Sequence, residues 1–349
     1  MHPNVTAGLD LGDETSRVYV IDAPGQRVDE ATVATTVAGL RRYFGGRGRW
    51  RVVVEVGTHS PWVTRELRAL GHEVIVANGS EVYGRRRRRK RNDRLDAEFL
   101  ARQGRADVAL LHPIQHRSAA AQRDLALLRT RDQLVQARTK LINHVRGTVK
   151  AQGDRLPGCS APAFARLGGA ALPLGLQPVL GPTLDLIAAL TSQIAAFDQQ
   201  VAQLGRARYP EAARLQQIPG VGPLTALAFV LLIEDPTRFA RSRDVGAYFG
   251  LVPRLDESSQ SQPQLRISKA GDALGRRLLV SAAQYILGPF GPPGDLRRFG
   301  EAVAQRGGRN AKKRAVVAVA RKLAVVMHRL WQSERAYDPE RQRKRRRAA

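Results

Sequence analysis

The chain has 349 residues, with 57 Lys and Arg against 31 Asp and Glu, a formal net charge of +26, 43% apolar residues and one cysteine. That length suggests two or three domains, and the apolar content is enough to build cores, which excludes a disordered polycation. Cys159 alone excludes an intramolecular disulfide framework and a cysteine-based zinc site. So large a positive excess is best neutralised by a polyanion that releases condensed counterions on binding, and nucleic acid is the expected partner. The first twenty residues lack the basic, apolar and small-residue succession of a secretory signal. Uninterrupted apolar stretches such as 224–233 fall short of the roughly 20 residues of a membrane-spanning helix. The expectation is a soluble, cytoplasmic and nucleoid-associated protein with no membrane partner.

Residues 4–112 alternate strand-like and helix-like stretches. NVTAGLDLG is a short apolar run closed by glycine, SRVYVID (16–22) alternates as a second strand, and QRVDEATV (26–33) reads as a third. TTVAGLRRYFGG has helical spacing with a Gly-Gly stop, RVVVEV (51–56) reads as a buried strand, SPWVTRELRAL (60–70) as a helix and HEVIVANG (72–79) as another strand. Three strands followed by alternating helix and strand is the order of an RNase H-like α/β domain, with a generic Rossmann-like fold as the other reading.

Residues 85–91 are seven consecutive cations, RRRRRKR, followed by the helix-compatible NDRLDAEFLARQG. Such a run is exposed, either solvated or laid along phosphates. From 116 to 152 the apolar positions Leu125, Leu128, Leu134, Val135, Leu141, Ile142, Val145 and Val149 predict a long amphipathic helix with coiled-coil character. A Gly/Pro/Ala-rich stretch at 153–183 breaks it, and 184–207 resumes as a second amphipathic helix. Residues 211–335 read as mainly helical with a polar loop at 254–265, and a basic tail closes the chain. The expected domains are 1–112, a helical coiled-coil linker over 113–210, a helical domain over 211–335 and the tail 336–349.

Four carboxylates are candidates for chemistry. Asp10 ends the first strand, Glu55 lies in the middle of the RVVVEV strand, and Asp93 and Asp96 open the next helix with an i, i+3 spacing that turns both to one face. A carboxylate among Val52, Val53, Val54 and Val56 is costly to bury unless neutralised, paired or bound to a cation. Hard oxygen ligands beside a basic surface are what Mg²⁺-dependent phosphodiester chemistry requires. Taken singly, Asp10 could cap a turn, Glu55 could pair with an arginine and Asp93 could be an N-cap. In IPGVGPLTALAF (218–229), Gly220 and Gly222 resemble the hairpin of a helix-hairpin-helix motif, whose backbone N–H groups approach phosphate; the alternative is an ordinary tight turn between helices. A polar Ser/Gln loop precedes RISKAGD and holds no histidine to serve as a base.

Together these residues resemble the insertion-sequence transposases of the IS-one-ten type, DEDD transposases described as bridge-RNA-guided recombinases, and are similar to the pilin-gene invertases. Asp10 in GLDLG, Glu55 in VVVEVGT, and Asp93 and Asp96 in NDRLDAEFLAR match the family's four acidic residues in order; IPGVGPLTA and GLVPR…RISKAGD…RRLL match its C-terminal domain. The resemblance implies a RuvC-like nuclease domain, a coiled-coil connection and a helical domain that supplies a nucleophilic serine. Counting from Pro253 places that serine at Ser258, with Arg266, Ile267, Ser268 and Lys269 in register. The family usually has Ser-Gly where this chain has Ser258-Ser259, so Ser259 is an alternative nucleophile.

The resemblance further implies DNA strand exchange through a covalent serine–DNA intermediate, Mg²⁺ held by the acidic four, a structured guide RNA and a homo-oligomer, dimer or tetramer. Expected nucleic-acid contacts are Arg85, Arg86, Arg87, Arg88, Arg89, Lys90, Arg91, Gly220, Gly222, Arg266 and Lys269. The rival readings are a metal-dependent nuclease of branched DNA that uses water, and a non-catalytic nucleic-acid-binding protein.

Overall fold

The structure, a computed structural model, describes residues 4–79, 92–254, 265–333 and 335–341. The chain divides into two compact units, Met1–Ser118 and Ala119–Ala349.

The first unit is built on a five-stranded mixed sheet. Strands β1 (Thr6–Asp10), β2 (Thr15–Ile21) and β3 (Arg27–Ala34) form an antiparallel meander, and helix α1 (Val37–Phe44) carries the chain to β4 (Arg51–Glu55). Thr36 caps α1 by accepting the Gly39 N–H at 3.0 Å. Strand β4 pairs in parallel with β1, and α2 (Ser60–Ala69) crosses to β5 (Glu73–Ala77), parallel to β4, giving the order β3-β2-β1-β4-β5. This is the strand and helix order anticipated for an RNase H-like sheet.

The pleat divides its side chains between two layers. Ala7, Leu9, Val18, Val20, Val52 and Val54 pack with Leu40 and Phe44 of α1 and Val63 and Leu67 of α2. On the opposite face lies α3 (Asp93–Ala106), whose Ala97, Leu100 and Ala101 pack on Tyr19, Ile21, Val53 and Ala77. Each fully buried Leu, Val or Phe contributes roughly 1.5–3 kcal/mol.

The second unit is mainly helical. Helices α4 (Ala119–Ala151) and α6 (Gln177–Arg208) pack together, with the short α5 (Phe164–Ala170) beside them. Arg131 joins Asp198 at 2.8 Å across the pair, and Arg138 donates to Thr191 Oγ1 at 3.2 Å. Helices α7 (Pro210–Leu215), α8 (Pro223–Ile233), α9 (Val245–Tyr248), α10 (Ala273–Leu287), α11 (Asp295–Gln305) and α12 (Ala311–Gln332) follow. Every residue of α8 from Ala226 to Ile233 is buried, so it is the central rod of this core. Leu125 and Leu128 of α4 and Val201 of α6 belong to the same cluster, rooting the long helices in it.

Three expectations need correction. Glu55 is the last residue of β4 and not its middle: Val56 is already 37% exposed, and the strand ends into the Gly57 turn. The second long helix starts at Gln177, not 184: Pro178 sits in its first turn, where the missing N–H has no intrahelical partner, and the helix runs on through Pro182 at the loss of one ladder hydrogen bond. The same helix contradicts the expectation that no segment reaches membrane-spanning length: Leu174–Arg208 is long and apolar enough by composition alone. Its Leu180, Leu184, Ile187, Ile194 and Val201 are instead buried against protein.

Candidate active site

The register of β1 and β4 aligns Gly8 with Val53 and Leu9 with Val54, so Asp10 comes level with Glu55 one residue later. Gly8 and Val53 both face α3, and the period-two pleat puts Asp10 and Glu55 on that face too, at the carboxyl ends of two parallel strands. Ala97, Leu100, Ala101 and Gly104 form the buried stripe of α3, and Asp93 and Asp96 extend it by one turn at its N-terminal end. Asn92, not Asp93, caps the helix, accepting the Arg94 N–H at 3.0 Å and leaving Asp93 available.

A close backbone contact makes this arrangement possible. A Cβ at Gly8 would lie 1.9 Å from the Ala97 carbonyl oxygen, and one at Gly104 would lie 2.2 Å from Val53 Cγ2. Glycine at both points lets α3 lie directly on the sheet. A Cβ at Gly79, just after β5, would likewise lie 2.0 Å from Glu55 Oε1, so the space beyond β5 is taken by the Glu55 carboxylate. Sequence reasoning passed over these glycines. The signal for Gly8 was a glycine between apolar residues in a strand two positions before an acid.

The electrostatics tie the four acids together. The Asp10 carboxyl is pushed up to about 6, first by partial burial and then by the negative charges of Asp93, Asp96 and Glu55. Arg94, although next to Asp93, is turned to Glu30 at 3.0 Å. Among the described residues, no three His, Cys, Asp or Glu side chains are already drawn together as a metal-ligand set. The acids repel one another from a longer range. Their chemistry, four hard oxygen donors with raised proton affinity at Asp10, fits a divalent cation, which would have to draw the side chains inward.

A second polar group borders the same edge of the sheet and was not anticipated. The Trp62 indole N–H donates to His59 Nδ1 at 3.2 Å, which leaves His59 Nε2 as the protonated nitrogen, 3.1 Å from Asp13 Oδ1.

In the second unit, Gly220 has φ +83, and a Cβ there would come within 3.0 Å of both the Ala282 carbonyl oxygen and Tyr285 Cδ1. Gly222 is the extended N-cap of α8, followed by Pro223 at the first turn. The two glycines thus stand in a helix–turn–helix connection between α7 and α8. Arg266 and Lys269 lie on a narrow antiparallel ribbon, closed by Arg254 N–H to Arg266 O at 3.0 Å, Ser268 N–H to Val252 O at 2.8 Å and Lys269 N–H to Gly250 O at 3.1 Å. Both cations are exposed, and Lys269 sits at φ +55 beside Gly250 and Gly271, each also at positive φ. Ser258 and Ser259 fall between the two sides of this ribbon in sequence and lie outside the described residues. So do Arg85, Arg86, Arg87, Arg88, Arg89, Lys90 and Arg91.

Two family models match the chain. One, described as a transposase with a DEDD domain, covers residues 7–152, and the other, described as the transposase IS116/IS110/IS902 family, covers residues 212–293. Among curated proteins, the chain is 30% identical over 349 residues to the transposase for insertion sequence element IS1111A of Coxiella burnetii, spanning 95% of this chain and 90% of that one. It is 28% identical over 292 residues to the transposase for insertion sequence element IS1328 of Yersinia enterocolitica, spanning 82% and 85%. It is also 29% identical over 161 residues to the pilin gene-inverting protein of Moraxella lacunata, spanning 45% and 48%.

Proposed function

Because the chain belongs to the IS116/IS110/IS902 family of transposases, enzymes that act on DNA through a DEDD domain with a divalent-metal-dependent active site, we propose that Asp10, Glu55, Asp93 and Asp96 are its metal-binding residues and Mg²⁺ the ion. The observation that carries this reading is the Asp10 carboxyl, raised to about 6 by burial and by the other three acids. Four carboxylates that strand ends and a helix start bring into mutual repulsion are stabilised by a cation in their midst. When bound, Mg²⁺ supplies charge stabilisation at the reacting phosphate oxygens.

The residues themselves have distinct tasks. Asp10 and Glu55, on neighbouring rigid strands, hold fixed positions, while Asp93 and Asp96 approach from the helix above. We propose Ser258 as the nucleophile, with Ser259 as the alternative. Its Oγ forms a bond to phosphorus as the bond to one bridging DNA oxygen breaks; the hydroxyl proton passes to solvent and the departing oxygen becomes a DNA hydroxyl end. Attack of a DNA hydroxyl on the phosphoserine restores the phosphodiester, so strand exchange needs no external energy source. Arg266 and Lys269, exposed on the ribbon that brackets the serine loop, hold the DNA backbone, as do Gly220, Gly222 and the run 85–91. The net charge of +26 leaves capacity for a structured guide RNA as well. The paired long helices α4 and α6 serve as a coiled-coil arm for assembly of a dimer or tetramer.

The test is to express the gene with its native flanking DNA and sequence the excised, joined ends. Junctions from the wild type that vanish with Ser258→Ala establish recombination through that serine. Junctions that persist with both Ser258→Ala and Ser259→Ala remove these residues from the mechanism and favour water as the nucleophile.

A further inference from the structure

The connection between α11 and α12 combines features that the transposase reading does not use. Up to residue 301 the arginines of α11 are matched by acids: Arg297 pairs with Glu301 at 2.9 Å and Arg298 with Asp295 at 2.7 Å. Beyond that point the charge balance changes abruptly. Between residues 302 and 333 there are eight Lys or Arg and no Asp or Glu. Five of the cations, Arg306, Arg309, Lys312, Lys313 and Arg314, fall within nine residues, and all five are exposed. Arg314 turns inward to the Gly307 carbonyl oxygen, while the side chains of Arg306, Arg309, Lys312 and Lys313 form no ion pair or hydrogen bond among the described residues.

Local stability argues against this placement. Lys312, Lys313 and Arg314 occupy the first turn of α12, where the helix dipole favours acids and opposes cations. Nor does a side-chain cap offset the cost: Thr36, Asn92 and Asp272 accept hydrogen bonds from the first turns of α1, α3 and α10, whereas Asn310 makes no such bond. The mutual repulsion of five cations adds to the unfavourable field. The patch is nonetheless held on a rigid base, because Ala315, Val319, Ala320, Leu323, Ala324 and Met327 of α12 are buried in the helical core. Gly307 and Gly308, both at positive φ, make the turn between α11 and α12, with Gly307 N–H donating to Ala304 O at 3.2 Å and Ala311 N–H to Gly308 O at 3.0 Å.

We propose that this connection, residues 306–314, is a binding surface for the phosphate backbone of duplex DNA, separate from the hairpin at Gly220 and the ribbon at Arg266. A cluster of fixed, unpaired cations without acids fits a polyanion, and the family's substrate, DNA, provides closely spaced phosphates. The cations meet phosphates only, so they position the duplex without reading bases.

The test is a fluorescence-anisotropy titration of the full chain with a labelled duplex across a range of salt concentrations. The variant carries Arg306→Gln, Arg309→Gln, Lys312→Gln and Lys313→Gln together. Arg314 is kept, because it shapes the turn. Without these four cations to neutralise phosphates, the slope of log affinity against log salt should become shallower by about 3 to 4, so roughly a 100-fold part of the wild-type decline in affinity between about 50 and 200 mM salt should disappear. A control with the same reduction of charge, Arg42→Gln, Arg49→Gln, Arg155→Gln and Arg166→Gln, at exposed positions outside the paired long helices, should leave the slope nearly unchanged. Lys312 and Lys313 oppose the dipole of α12 while Arg306, the C-cap of α11, is favoured by the dipole of that helix, so the test variant should unfold within a few degrees of wild type, which separates a binding role from a structural one. An unchanged slope, an equal change in the control, or a weakening confined to structured RNA with duplex binding intact would each overturn the proposal.

Discussion

The Gly8→Ala substitution tests how the active site is assembled. The added Cβ would lie 1.9 Å from the Ala97 carbonyl oxygen and 2.6 Å from the Ala101 nitrogen, both on the backbone of α3, so no side-chain rotation relieves it. Restoring an ordinary carbon–oxygen contact of about 3.3 Å requires α3 to lift by about 1.4 Å. Overpacking of this kind costs roughly 1–3 kcal/mol. For a unit this small that corresponds to a fall of about 5–15 °C in unfolding temperature. Asp93 and Asp96 ride on the same helix, so they recede from Asp10 and Glu55 as it lifts. A displacement of about 1 Å in a catalytic group can cost ~10²-fold in rate. The variant should therefore show a lower Tm, a smaller rise in Tm on adding Mg²⁺ and an Asp10 pKa closer to an ordinary carboxylate. Thermal unfolding with and without Mg²⁺, together with carboxylate NMR titration, measures all three. A Tm within about 1 °C of wild type and an unchanged Mg²⁺ response would refute the close-contact account.

Other consequences follow from the same geometry. The Asp10 carboxyl is raised from 3.8 to about 6, so the folded chain binds that proton more tightly than the unfolded one. Its favourable contribution is full below the unfolded value and is lost as pH rises through about 6; Asp10→Asn should flatten the Tm profile across that window, and a profile identical to wild type would contradict this. Mg²⁺ competes with the same proton, so stabilisation by Mg²⁺ measured in thermal melts should be larger at pH 8 than at pH 5, and equal effects would count against an acidic site. Gly220→Ala must adopt φ +83 and press on Ala282 and Tyr285, with an expected loss of about 1–3 kcal/mol in chemical denaturation. Arg138 is buried between α4 and α6 with its Nε unpartnered, so Arg138→Met should be neutral or stabilising by ~1–3 kcal/mol in the same assay, and a large destabilisation would show that the charge is compensated.

Much of the first unit was legible because its strands alternate or run apolar over short lengths bounded by Gly and Asp. The positions of Asp10, Asp93 and Asp96 followed from strand end and helix start. Glu55 was misplaced by assuming that Val56 continued the strand; in the fold β4 stops at Glu55, which is half-buried after three fully buried valines. The mutual proximity of the acids was an inference from type and order, since register and the Gly8 contact are long-range facts that periodicity does not contain. The start of α6 was obscured by Pro178 and Pro182, which read locally as breakers but fall in the opening turns of a helix. The basic connection at 306–314 was hidden by the overall charge of the chain. Its distinction emerges only when the neighbouring arginines are seen to be paired and these are not.

Single-turnover cleavage of a labelled DNA substrate carrying the element's ends, followed against Mg²⁺ concentration, tests the central assignment most directly. The wild type should cleave in a Mg²⁺-dependent manner, and Asp10→Asn, Glu55→Gln, Asp93→Asn and Asp96→Asn should each lower the rate by ~10²-fold or more while DNA binding persists. Full-rate cleavage by any of the four, or wild-type cleavage indifferent to Mg²⁺, would contradict the assignment.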